Sequence, residues 1–127
     1  MQTGCQIYVK GSAEAVPFYQ KAFGWTIGMN FPNADGSYAH ASLMNGDREM
    51  LAVAEGIGNC SIDLQGGKYP IMAFNCWDLD SREAVDRAYR VLNEDACLPS
   101  DGPAPCPWNE YCFTLVDKFG IHWWVAI

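Results

Sequence analysis

The chain has 127 residues, 50% of them hydrophobic and 13% aromatic, with eight Lys and Arg against fifteen Asp and Glu for a net charge of −7. That apolar content excludes a disordered chain, and the length suits one domain that buries about two-thirds of its unfolded surface. The acidic charge is spread out, no basic stripe exists, and no apolar stretch approaches the ~20 residues that cross a bilayer, so neither nucleic acid nor membrane is an expected partner.

Taken in chain order, residues 4–10 alternate like a strand and Gly11-Ser12 ends it, with Ser12 the expected N-cap of a helix over 13–23. Val16, Tyr19, Gln20 and Phe23 share one stripe of that helix, Pro17 sits near its start, and Gly24 suits its C-terminal end. Strands are predicted over Trp25–Phe31, Ser37–Met44 and Arg48–Ala54, the last two joined by the hairpin signal Asn45-Gly46-Asp47. A segment over 56–69, with Gly56, Gly58, Gly66 and Gly67, reads as a linker.

The order then repeats. Pro70–Trp77 is a predicted strand, and Asp80 with Glu83 makes a capping box for a helix running to Glu94. Its apolar stripe is Ala84, Val85, Ala88, Tyr89 and Leu92. A short strand at Ala96–Leu98 and a proline-rich loop over Pro99–Asn109 follow. The last two strands, Glu110–Val116 and Ile121–Ile127, meet across Asp117–Gly120. Two strand-helix-strand-strand-strand modules, 1–55 and 70–127, thus imply one α+β domain. Each module has a curved mixed sheet with its helix on the outer face, and the remaining sheet faces enclose a cleft suited to a small ligand.

Six cysteines, Cys5, Cys60, Cys76, Cys97, Cys106 and Cys112, include no Cys-x-x-Cys pair, and only two histidines accompany them. With no basic and apolar leader at Met1–Gly4, the expected location is cytoplasmic and the thiols are expected to be free. Cys106 is the expected exposed thiol, and Cys112, alternating with Tyr111 and Phe113, is expected to point at the helix layer. Asp78 and Asp80 look like a carboxylate pair, but capping accounts for Asp80. In the last strand, period two puts His122, Trp124 and Ala126 on one face and Ile121, Trp123, Val125 and Ile127 on the core face.

Three stretches carry a family likeness: residues 15–24 (AVPFYQKAFG), residues 38–43 (YAHASL), and Val116-Asp117-Lys118-Phe119-Gly120 with Trp123. With these the chain resembles the vicinal-oxygen-chelate superfamily, the glyoxalase, bleomycin-resistance and extradiol-dioxygenase group, and within it the PhnB-like branch. The resemblance spans nearly the whole chain and implies the two-module fold and a homodimer. Members that do metal chemistry take His, Glu or Gln ligands from inward positions on the first and last strands of each module. The corresponding positions here fall near Gly4, with Gln6 one inward step along, and at Ala52, Met72 and Trp124. Gly, Ala, Met and Trp do not build a hard or borderline metal site, so no metal or other cofactor is expected. A relocated set of Gln6, His40, Glu55 and His122 is the alternative.

By strand parity the expected ligand-binding wall is Gln6, Tyr8, His40, Ser42, Met50, Ala52, Met72, Phe74, His122 and Trp124, with Trp108 and Tyr111 as a rim. These mostly apolar, aromatic side chains suit a planar or greasy molecule, and the acidic surface favours a cationic one. The expected function is therefore a small-molecule-binding protein that encloses its ligand, with catalytic residues unassigned. Two alternatives stand beside it. One is a metal-dependent lyase, isomerase or dioxygenase using His40 and His122; the other is a structural or regulatory dimer whose cleft is filled by side chains.

Overall fold

A computed structural model of the chain describes residues 1–56 and 72–127, so most of the expected linker and the start of the second module lie outside the described residues. The chain forms two compact units, Met1–Ile62 and Asp63–Ile127, each with one helix and a four-stranded mixed sheet. No helix among the described residues is long and apolar enough to cross a membrane.

The first unit contains β1 (Gln6–Val9), α1 (Ser12–Phe23), β2 (Thr26–Pro32), β3 (Tyr38–Asn45) and β4 (Arg48–Glu55), with sheet order β1-β4-β3-β2. β1 runs parallel to β4 and the other pairs are antiparallel. The register Ile7↔Val53, Ala41↔Val53 and Leu43↔Leu51 gathers the buried apolar side chains on the face that receives α1. There they meet Ala15, Val16, Phe18, Tyr19 and Ala22 of the helix. Pro17 lies inside the helix on its exposed side, so the carbonyl its ring deprives of a donor can turn to water.

The start of α1 differs from the expectation. Ser12 is the first helical residue, and Gly11 holds the cap position at φ 94°, a left-handed conformation that glycine adopts without a Cβ clash. Glu55, at the end of β4, supplies the cap: its carboxylate accepts from Gly11 N and Ser12 N, both at 2.9 Å, and from Ser12 Oγ at 2.8 Å. Burial works against the Glu55 charge, but these donors outweigh it and hold its carboxyl below the usual value.

The second unit repeats the plan with β5 (Ala73–Cys76), α2 (Arg82–Leu92), β6 (Ala104–Cys106), β7 (Asn109–Val116) and β8 (His122–Ala126), in sheet order β5-β8-β7-β6. Phe113↔Val125, Leu115↔Trp123 and Phe74↔Trp123 place the core on the α2 side. Ser81, rather than Asp80, caps α2, its Oγ accepting from Ala84 N at 3.2 Å. The third strand of this unit lies inside the predicted proline-rich loop, while Leu98 makes only an isolated bridge to Val116. Pro105 has no N–H to offer a second neighbour, and β6 is an edge strand that does not need one. The Asp117–Gly120 turn is tied by the fully buried Asp117. Its Oδ1 accepts from Phe119 N and Ile121 N, and its Oδ2 accepts from Trp123 Nε1 at 2.8 Å.

Candidate functional site

The face of each sheet turned away from its helix carries the polar side chains that the core has no use for. In the first unit, Gln6 and Ser42 both pair with Ala52, which puts Gln6, His40 and Ser42 on one face. They form a continuous hydrogen-bonded chain. His40 Nδ1 lies 2.8 Å from Gln6 Oε1 and Nε2 lies 3.0 Å from Ser42 Oγ, while the Ser42 hydroxyl donates to Glu49 Oε2. With its one proton given to Glu49, Ser42 must accept from His40 Nε2–H. His40 Nδ1 then meets an amide oxygen. An imidazolium satisfies both contacts, and a neutral ring requires the Gln6 amide to present its NH₂ instead. Ser42 is buried at 3% exposure, so the middle of the chain is shielded. Two aromatics flank it: Phe31, paired with His40 across β2 and β3 with ring centroids 6.3 Å apart, and Tyr8, 60% exposed.

Glu49 was not foreseen. Regular alternation from Ala52 puts Met50, not Glu49, on this face. A register shift after Leu43 pairs Met44 with Glu49 and turns the carboxylate toward Ser42, leaving Met50 half-buried at the irregularity. The only sequence signal is an acidic residue just ahead of the apolar run Met50–Ala54.

In the second unit the far face holds Ala73, Asn75, Cys112, Thr114, His122 and Trp124, as the pairs Ala73↔His122, Asn75↔Trp124 and Thr114↔Trp124 require. Thr114 donates to the Trp123 carbonyl at 3.0 Å, and its oxygen lies 2.7 Å from His122 Nε2. That fixes the neutral His122 as the Nε2–H tautomer and leaves Nδ1 with a lone pair.

Several expectations need correction. Phe74 is on the helix side, stacked on Trp123 at 5.2 Å, because the described strand pairs Ala73, not Phe74, with His122. Met72 precedes β5 in step with Phe74, and its carbonyl accepts from His122 N at 3.0 Å. Tyr111 is no rim residue. Its hydroxyl donates to Asp86 Oδ1 of α2 at 2.5 Å, and Arg82 lies over its ring at 4.8 Å. The Asp86 bond leads the causes that raise the Tyr111 hydroxyl above its ordinary value. Cys112 points to the far face, not the helix layer, since it pairs with Ala126 while Phe113 takes the helix side. Trp108 stands 75% exposed between β6 and β7. Asp78 and Asp80 are both exposed, Asp78 in a left-handed turn at φ 59°.

This two-unit repeat, with a parallel first-to-fourth strand pair in each sheet, has a counterpart among known families. The profile of the Glyoxalase/Bleomycin resistance protein/Dioxygenase superfamily matches residues 3–125. The chain belongs to that superfamily. Similar solved structures include a PhnB protein from Bacillus cereus, 19% identical with TM-score 0.75, the match covering 99% of this chain and 98% of that one. TioX from Micromonospora sp. ML1 is 19% identical with TM-score 0.64, covering 98% and 94%. A lactoylglutathione lyase from Agrobacterium tumefaciens is 19% identical with TM-score 0.59, covering 98% and 91%. At these identities the likeness carries the fold. No curated protein matches at a significant level.

The superfamily's metal-binding positions can be tested against these residues. A Cβ at Gly4 would stand 3.2 Å from Glu49 Oε1, so that position offers no ligand and is backed by another side chain's oxygen. Ala52 is a methyl group, and Trp124 is an indole whose N–H is engaged with the Cys112 sulfur. Gln6 Oε1 and both His40 nitrogens are taken up in the hydrogen-bonded chain. Glu55 leaves the relocated set altogether, since it faces α1. Among the described residues no group of three or more His, Cys, Asp and Glu converges where an ion could sit. This donor set does not fit the superfamily's metal centre.

Proposed function

We propose that this chain is a small-molecule-binding protein lacking the superfamily's usual metal centre, which encloses an aromatic or apolar ligand against the far faces of its sheets. The observation that supports it is the make-up of those faces. Each sets an aromatic surface, Tyr8 and Phe31 in one unit and Trp124 in the other, beside a histidine whose ring is oriented by a hydroxyl. Stacking on the aromatics supplies affinity. The His40 chain and the His122 Nδ1 supply a few directed polar contacts. The charge of −7 suits a cationic ligand, and Glu49 adds a carboxylate to the His40 chain through Ser42. By resemblance the working form is a homodimer, which light scattering would test.

The test is a thermal-shift screen of planar aromatic cations and neutral aromatics, followed by titration through tryptophan fluorescence. Phe31→Ala and Trp124→Ala are each expected to weaken the best ligand about tenfold, or ~1.4 kcal/mol, with the fold intact by circular dichroism. Unchanged affinity in both variants would refute binding at these faces. Stoichiometric zinc, nickel, manganese or iron retained through purification and lost in His40→Ala would replace this reading with a metal-dependent enzyme.

A further inference from the structure

Two thiols meet on the β6–β7 hairpin. Cys112 Sγ lies 3.3 Å from Cys106 Sγ and 3.6 Å from the Ala104 carbonyl oxygen. Alternation along β6 puts Cys106 on the face of Ala104, and Ala104 pairs directly with Cys112. The ladder pairs Cys106 with Asn109 and shifts by one residue before Ala104 meets Cys112. Both are free cysteines. Cys112 is buried and Cys106 is half-buried, so a small reagent reaches Cys106 first.

Their acidities diverge in the same sense. Burial raises the Cys106 thiol, but the Trp108 N–H, the Cys112 thiol and the Asn109 N–H outweigh it and leave Cys106 below the ordinary value. Burial, followed by the neighbouring Cys106 sulfur, raises Cys112, against a smaller lowering by Trp124. The reachable sulfur is the more nucleophilic candidate and the shielded one its resolving partner.

We propose that Cys106 and Cys112 form a two-thiol oxidation site that hydrogen peroxide converts to an intrachain disulfide between β6 and β7. The Cys106 thiolate attacks one peroxide oxygen. The O–O bond breaks, and the departing hydroxide takes a proton to leave as water, giving Cys106 sulfenic acid. Cys112, on losing its proton, then attacks that sulfur and forms the S–S bond, and the sulfenic oxygen leaves as a second water. Two thiols are oxidised and one peroxide is reduced to two waters. A low-molecular-weight dithiol reverses the change by exchange.

The experiment uses the full chain, reduced, treated with limiting peroxide and then alkylated. The expected product has lost two hydrogens and both alkylation sites at Cys106 and Cys112. Cleavage after Glu110, which lies between them, leaves the two peptides joined until a dithiol is added. Cys97 shares a peptide with Cys106, so Cys97→Ser must keep the link. In Cys112→Ser the Cys106 sulfenic acid has no resolving partner and accumulates as a dimedone adduct. Oxidation of the exposed Cys5 and Cys97 with no joined peptides would overturn the proposal. So would a Cys112→Ser chain that collects no adduct at Cys106. If that variant fails to fold, the peptide map of the unaltered chain decides alone.

Discussion

Glu55 sits in a strand yet holds the start of a helix, and removing it measures how much the first unit depends on that link. Its carboxylate accepts three hydrogen bonds, from Gly11 N, Ser12 N and Ser12 Oγ, at 2.8–2.9 Å. Hydrogen bonds to a charged group are each worth about 1.5–3 kcal/mol, and a negative charge at a helix N-terminus adds about 0.3–1 kcal/mol. A full sum overstates the effect. The carboxylate is only half-buried and the released Gly11 N–H can find water, although Ser12 is fully buried and keeps its bond from Tyr38 N. Loss of an ordinary N-cap costs about 1 and at most about 2 kcal/mol. Glu55→Ala is therefore expected to cost about 2–4 kcal/mol, and Glu55→Gln, which keeps an acceptor without the charge, about 1–2 kcal/mol. For 127 residues the alanine loss corresponds to a Tm drop of roughly 7–15 °C.

Urea titrations at several pH values provide the assay. The folded carboxyl is held below its ordinary value of 4.5, so the charged form is the one folding favours. Its contribution is fully present above pH 4.5 and disappears as pH falls through the lower folded value. The gap between the unaltered chain and Glu55→Gln should accordingly be constant near neutrality and close in acid. A Glu55→Ala loss under about 0.5 kcal/mol, or a gap that persists in acid, would refute the capping argument.

Three further outcomes follow from contacts already described. Trp123→Phe removes the indole donor from the buried Asp117 Oδ2 and some core volume, and should cost about 2–4 kcal/mol by urea denaturation. Ser81→Ala deletes the α2 cap acceptor and should cost about 1 kcal/mol in the same assay. Burial pushes the Cys76 thiol from 9.0 up to about 11, so at pH 8 its maleimide reaction in the folded chain should be roughly a hundredfold slower than in urea.

Both helices, the hairpin at Asn45–Arg48, the Asp117–Gly120 turn and the repeated order of elements were legible from local pattern. So was the far-face placement of Gln6, His40, Ser42, His122 and Trp124, because period-two geometry survives wherever pairing is regular. It fails where one ladder slips. Glu49 entered the site and Met50 left its regular position through the shift after Leu43. Phe74 was misplaced by counting from the wrong residue of the short β5, and Cys112 by assigning its alternation with Phe113 to the wrong face of β7. One residue changes the face of every side chain beyond it. The third strand of the second unit hid among prolines, since edge position is a property of the sheet and not of the segment.

The amino-acid sequence by itself determined the two-module plan and the apolar faces, because hydrophobic periodicity and turn chemistry act over a few neighbouring residues. Only the tertiary structure decided which polar groups meet. Glu55 reaches α1 across 44 positions of chain, and the slip of β3 against β4 joins Glu49 to His40 through Ser42. Such contacts are set by strand pairing and register, which no single segment encodes.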